Sequence, residues 1–466
     1  MSARVDRPTT PADVARYYER TVRRAQRAAR VPAVQVALHR ADRPLWTFEV
    51  GDAGGGVTLD ADTQFRIGSI TKTFTAVLVL QCRDDGLLDL DDPVSAHLSV
   101  PAHGDLTIRR LLSHTAGLQR EPYGDIWDTL AVPSLAETLA GLEQAERILP
   151  PGRRFHYSNL AFALLGHLAA AKRGGTWAEV LDERILSPLD LPLTLQPGPN
   201  AATGYLVDAW SDHARPEPRT DLGGVAPAAQ LWGTASQLAR WGAFLADPAA
   251  IDPDGAVLSP DTLAEMRHPS VLRDEQVWKA GWGLGLVVRP GRDRGSDVGH
   301  GGAMPGFLAE AYGRVPGTDA DVPGAFAAAV LLSAGNGDRA LGLSTTLLDA
   351  AVERDPADIR PWRIGTPVPD EWAGLLGHWW GEGFEYVFRW RDGHVEASGA
   401  DDAPGVPPAV FGIEGPDLLR SVSGREIGEP LRLTRDEDGR IVRLHWATYR
   451  FTREQQTFDG VWASRP

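Results

Sequence analysis

Phe65-Arg66-Ile67-Gly68-Ser69-Ile70-Thr71-Lys72-Thr73-Phe74-Thr75 is the stretch from which the rest of the chain is read. It reads as a tight turn feeding a helix whose first turn carries a serine and, three residues on, a lysine. Positions i and i+3 share a helical face, so hydroxyl and amine can meet. Beyond Lys72 the run Ala76-Val77-Leu78-Val79-Leu80 is apolar, and Asp84-Asp85-Gly86 supplies a stop. A lysine among apolar side chains loses hydration, which lowers its pKa and lets it act as a neutral base on the serine. Ser69, at the helix start, also has its backbone N–H aimed where an oxyanion can form. A serine and lysine at this spacing also occur in any capped helix, so the reading depends on the chain around them.

Upstream, residues 13–30 form an arginine-rich amphipathic pattern, and 34–39 and 45–50 read as the two strands of a hairpin closing on Gly51. Downstream, 108–112 read as a short helix ending in Ser113-His114-Thr115-Ala116-Gly117-Leu118. His114 is a ligand, a base or a turn-packing residue; with no second histidine at metal spacing, the last is the simplest. Pro150-Pro151-Gly152 then forces a loop carrying Tyr157 and Asn159 to the start of an apolar helix at 160–165. These two read either as catalytic loop residues held by rigid neighbours or as a core tyrosine and an N-cap. Residues 196–230 read as a long surface excursion able to wall a cleft, with Ala229 on its small-residue floor and Trp232 just beyond. A helix is expected at 237–245, one strand at 281–288 and a buried strand at 326–332. Between the last two, the glycines of His300-Gly301-Gly302-Ala303 let a ligand approach the backbone closely.

The 466 residues are long for one core, and 43% hydrophobic content is ordinary for a globular chain. A formal net charge of −15 argues against general nucleic-acid or anionic-membrane binding. Cys82 is the only cysteine, so no disulfide framework or cysteine-based metal site is expected. Residues 1–14 lack the apolar core of an export signal, which gives a cytoplasmic expectation. Composition divides the chain into 1–355, a linker over 356–370, and an all-β tail over 371–466 whose hairpins turn at Asp392-Gly393 and Asp438-Gly439.

Ser69-x-x-Lys72, Tyr157-x-Asn159 and His300-Gly301-Gly302, in that order, resemble the serine β-lactamase and penicillin-binding-protein superfamily, in its class C-like branch. The flanks Phe65-Arg66-Ile67-Gly68, Leu111 to Leu118 and Pro151-Gly152 carry the same resemblance. It implies an α+β fold: a mainly antiparallel sheet covered by helices, a helical lobe, and a site between them. It also implies Ser69 as nucleophile, Lys72 as its base, Tyr157 as proton shuttle and Asn159 as a ligand of Lys72 and of the substrate amide. The oxyanion N–H groups would be those of Ser69 and Ala303, and no cofactor or metal would be needed. Class C β-lactamases carry Lys-Thr-Gly at the third motif; His300-Gly301-Gly302 resembles instead the D-peptidases, D-aminopeptidases and esterases of the branch. Without that lysine, recognition of a substrate carboxylate is weakened there.

The tail resembles the lipocalin-like barrel that some members append. In penicillin-binding-protein-type thioesterases it accompanies macrocyclisation of nonribosomal peptides ending in a D-residue, handed over by a carrier protein. On that resemblance substrate contacts are expected from Trp232, Ala229, Gly301, Gly302 and Arg450, with Trp446, Tyr449 and Arg453 on a peptide-facing surface. The alternative for the tail residues, each taken singly, is cross-strand packing with solvated arginines, and for Arg450 a surface ion pair. The rival expectations are a cytoplasmic esterase or D-amino-acid peptidase with the same machinery, and a catalytically silent binding protein. Intact Ser69, Lys72 and Tyr157 speak against the last.

Overall fold

The Thr71–Asp84 helix is buried at every position from Thr71 to Cys82, as befits a helix apolar on all sides and placed at the middle of a core. The computed structural model describes residues 9–291, 295–317, 323–358, 361–381, 383–403 and 405–455. The stretch read for an export signal lies outside these up to residue 8, as do 359–360 of the expected linker and 456–466 of the expected tail. Phe74 stacks on Trp241 with ring centroids 3.9 Å apart, and the Trp241 indole donates to the Thr73 hydroxyl at 2.7 Å. Trp241 belongs to the Ala235–Ala246 helix, which lies on one face of the sheet.

That sheet has eight strands, every neighbouring pair antiparallel. Their order is Trp46–Gly51, Ala33–His39, Phe326–Leu332, Phe307–Val315, Ser296–Met304, Val287–Pro290, Gly281–Trp282 and Val271–Leu272. In the Phe326–Leu332 strand, Ala329 and Leu331 face the Thr71–Asp84 side. Ala328, Val330 and Leu332 face the core shared with the Ala12–Ala29 and Leu343–Arg354 helices. Burial on both faces is why this strand is apolar without alternation. The helical lobe comprises Ile108–Leu112, Asn159–Arg173 and Trp177–Leu181.

Two expectations are corrected here. Residues 281–288 form two short strands joined by a turn in which Gly283 N–H donates to the Leu286 carbonyl at 2.9 Å. Gly285 in that turn has φ +81°, and a Cβ there would lie 2.3 Å from the Ala76 Cβ; an apolar run alone does not tell one strand from a tight hairpin. Residues 196–230 contain a hairpin of Tyr205–Val207 with Ala214–Pro216, and their last part is buried rather than a surface excursion. Pro227 fills the space over Gly166 of the Asn159–Arg173 helix, where a Cβ would come within 2.2 Å of it. Small residues there serve close helix packing.

The chain divides into two compact units, Met1–Asp358 and Ile359–Pro466. Asp355 stays with the first: it is buried and receives Arg40 Nη1 at 3.0 Å and Arg43 Nη2 at 2.9 Å. The second unit is a closed eight-stranded antiparallel barrel running in sequence order from Gly377–Gly381 to Tyr449–Thr452, which pair to close it. Its interior is filled by side chains such as Trp379, Phe388, Phe411, Leu444 and Phe451, as expected for this strand number. Trp446 belongs to that interior, and Arg453 lies 3.8 Å from the Trp379 ring centroid while donating to the Leu376 and His378 carbonyls. Trp446 also lines a cavity of the barrel with Tyr386, Ala397 and Ala409, and Arg453 remains exposed. Tyr449 is partly exposed, and Arg450 lies on the last strand opposite His445.

Candidate active site

Ser69 lies on a 3-10 turn, Gly68–Ile70, that runs straight into the Thr71–Asp84 helix. The turn is held from below by Phe65–Arg66, which pair with Trp232–Gly233, and by Ile67 N–H donating to the Leu231 carbonyl at 3.0 Å. On its other side runs the Ser296–Met304 strand. A Cβ on Gly302 would stand 1.9 Å from the Ile67 carbonyl oxygen, and one on Gly68 (φ +54°) would stand 2.8 Å from Ala303 N. Glycine at both positions is what lets turn and strand touch. The hairpin register pairs Met304 with Phe307 across Pro305-Gly306 and Ala303 with Leu308. Hydrogen-bonded and outward-facing pairs alternate from such a turn, so the Ala303 N–H points away from Phe307–Val315 toward the Ser69 turn. Ser69 and Ala303 thus bring two backbone N–H groups to one place.

Lys72 Nζ is fully buried and has three oxygen neighbours: Ser69 Oγ at 3.1 Å, Asn159 Oδ1 at 2.6 Å and the Ala228 carbonyl at 2.8 Å. A neutral amine has two hydrogens and one lone pair. The two carbonyl-type oxygens take the hydrogens, which leaves the lone pair for the Ser69 hydroxyl. Burial pushes the Lys72 pKa well below the ordinary lysine range, with Glu121 opposing the shift and Arg120 adding to it. The Tyr157 hydroxyl is hydrogen-bonded to Ser69 as well, and burial pushes its pKa up despite that bond. Tyr157 is therefore a neutral phenol able to pass a proton, and Lys72 an amine able to accept one.

The segment before the Asn159–Arg173 helix is fixed by His114. Its Nδ1 accepts from Ser158 N–H at 3.1 Å, its carbonyl accepts from His156 N–H at 2.8 Å, and its ring lies 4.4 Å from that of Tyr157. His114 is a packing residue, but one that places Tyr157. Ser158, not Asn159, caps the helix, accepting from Ala161 N–H; the Asn159 side chain is thereby released toward Lys72.

His300 is buried, with Nδ1 donating to the Gly301 carbonyl and Nε2 unpartnered among the described residues. Burial first, and then the Lys72 charge, push its pKa down to about 3. A neutral His300 supplies no cation at the third motif. Ser69, Tyr157, His300, Gly301, Gly302 and Ala303 line a cavity of about 610 Å³ together with Phe155, Trp282, Leu308 and Tyr312, with Arg120, Arg273 and Arg289 also bordering it. Ala229 and Trp232 are not among its described lining residues: Ala229 is buried in the turn whose Ala228 holds Lys72, and Trp232 packs edge-on against Phe307. Arg450 belongs to the second unit. Sequence reading missed Glu121, the Ala228 carbonyl and Trp282; Glu121 had no motif to mark it, whereas Trp282 stood between two glycines.

A serine hydroxyl facing the lone pair of a buried amine, with a phenol on the same oxygen and two backbone N–H groups beside it, is equipped for acyl transfer through a serine ester. The fold and this centre define a serine hydrolase of the β-lactamase fold. The chain belongs to the beta-lactamase family, whose model matches residues 18–346; a domain of unknown function, DUF7586, matches 368–453. Penicillin-binding protein 4 of Amycolatopsis lactamdurans is 30% identical over 354 residues, covering 71% of this chain and 88% of that protein. Human putative beta-lactamase-like 1 is 30% identical over 242 residues, 48% of this chain, which spans about half (47%) of that protein's length. Among solved structures, SurE crystallised with D-Leu superposes with a TM-score of 0.59 at 25% identity, covering 95% of this chain and 100% of that one.

Proposed function

We propose that the protein is a serine acyltransferase acting on peptidyl thioesters whose acyl end is a D-configured residue, and that it releases them as macrocycles. The observation that carries the reading is the Lys72 amine, buried and coordinated so that its lone pair faces Ser69 Oγ. Ser69 Oγ attacks the thioester carbonyl, its proton passing to Lys72. The oxyanion sits against the N–H groups of Ser69 and Ala303. The thiolate leaves with a proton delivered through Tyr157, and the serine ester remains. The peptide's own amine then attacks that ester; its proton returns through Tyr157 and Lys72 to Ser69 Oγ as the amide forms. The D-configuration is supported by the relation to SurE, solved with D-Leu and alike over both units. Delivery by a carrier protein in the cytoplasm belongs to the same proposal.

The test is a peptidyl N-acetylcysteamine thioester with a C-terminal D-residue. The expected result is mainly cyclic product, with the L-epimer a poor substrate and Ser69→Ala inactive. Lys72→Ala and Tyr157→Phe should each lower the rate by about 10²–10⁴-fold. Linear acid alone from every chain length replaces the cyclase with an esterase or D-amino-acid peptidase using the same centre.

A further inference from the structure

Residues 119–121 are tied to the start of the Asn159–Arg173 helix. The Ser158 hydroxyl donates to the Gln119 carbonyl at 2.7 Å, and the N–H groups of Asn159 and Leu160 donate to the Arg120 carbonyl at 2.7 and 3.2 Å. These bonds set Glu121 beside Asn159, whose Nδ2 donates to Glu121 Oε1 at 2.7 Å while its Oδ1 accepts from Lys72 at 2.6 Å. Turning the amide over would set its nitrogen against the amine hydrogens and its oxygen against the carboxylate, so only this orientation pairs donors with acceptors. Glu121 Oε2 is buried without a partner among the described residues. A glutamine could accept the same Asn159 bond without the cost of a half-satisfied carboxylate. Arg120 Nε lies 3.5 Å from the same Oε1, a pair with a largely exposed arginine, so the charge still acts on Lys72.

We propose that Glu121 is a positioning residue of the acyl-transfer centre: it locks the Asn159 amide toward Lys72, and its charge governs how readily Lys72 gives up a proton. This rests on the Ser69–Lys72 reading above. Lys72 is faced by Glu121 and Arg120 from one loop, His114 from the turn before it, Tyr157 and Asn159 from the helix start, and His300 from the sheet. Burial holds both histidines neutral and Tyr157 protonated, so near neutral pH the charges in play are Glu121 and Arg120. Of the two, only Glu121 favours the ammonium form, and it offsets part of what burial does.

The experiment follows the rate of Ser69 phosphonylation by a fluorophosphonate, which forms the Oγ–P bond as fluoride leaves, from about pH 4 to pH 9, where the acidic limb reports loss of the Lys72 proton. Glu121→Gln keeps an acceptor for Asn159 and removes the charge, so the limb should move to lower pH. Glu121→Ala also removes the acceptor, and its plateau should fall a further ten- to a hundredfold, on the order of what a misplaced catalytic group costs. A Glu121→Gln limb at the wild-type position, a wild-type profile with no acidic limb, or equal plateaus in the two variants would each overturn the assignment. Labelling that persists in Ser69→Ala overturns the acyl-transfer reading itself; labelling lost there, with an unmoved Glu121→Gln limb, overturns only the role of Glu121.

Discussion

His300 stands where the class C pattern has a lysine, and its environment settles what the exchange does. The ring is buried, its Nδ1–H is spent on the Gly301 carbonyl, and burial holds its pKa down to about 3. It gives the cavity a lone pair on Nε2, an acceptor where the lysine pattern has a donor. The same burial couples this residue to stability. An unfolded histidine binds its proton below about pH 6.5, whereas the folded one waits until about pH 3, so between those values the unfolded state holds more protons. Stability contributed by neutral His300 is therefore present above pH 6.5 and is lost as pH falls through that window. Thermal melts between pH 7 and pH 4 should show a falling melting temperature, with a shallower fall in His300→Gln. His114, also held neutral by burial, contributes in the same direction and remains in the variant. Identical slopes in the two proteins would mean that protonation at 300 is not linked to unfolding.

At the scale of elements, the site exists because a strand and a turn touch at two glycines. Gly302→Ala places a methyl 1.9 Å from the Ile67 carbonyl, a backbone atom that cannot swing aside, so the strand must withdraw from the Ser69 turn and take the Ala303 N–H with it. Acylation should fall by about a hundredfold, and overpacking should cost about 1–3 kcal/mol. Gly301→Ala is the control: its Cβ would meet nothing closer than 3.7 Å. Its melting temperature should stay at the wild-type value, and similar destabilisation of both variants would refute the contact argument. The serine–lysine pair was legible because helical spacing fixes geometry locally, and the Phe326–Leu332 strand because its burial leaves an unbroken apolar run. Glu121 was not legible, since its place depends on bonds from 119–121 to residues nearly forty positions away. For Trp446 the cross-strand packing reading holds, since its ring lies in the barrel interior next to the turn at Ala447, φ +53°.

At the scale of the whole molecule, each unit has its own filled interior, and the ion pairs of Asp355 with Arg40 and Arg43 are internal to the first. Pairs this buried punish the loss of one partner by roughly 3–5 kcal/mol. A chain cut before Asp355 should therefore lose stability, whereas one ending at Asp358 keeps the whole network. The 1–358 chain should give a single cooperative melt and be phosphonylated at Ser69 by a fluorophosphonate at close to the full-length rate, since the described side chains bonded to Ser69 and Lys72 lie within it. The barrel's contribution is then read by substrate size. Turnover of p-nitrophenyl acetate needs only the serine ester chemistry, whereas a long peptidyl thioester also needs its chain held so that its amine outcompetes water. If the second unit serves peptide recognition, its removal should leave the small ester within a few-fold of wild type, cut peptidyl thioester turnover by far more, and shift the remaining product from cycle toward linear acid. Equal losses on both substrates, with an unchanged product ratio, would show that the barrel acts through stability alone.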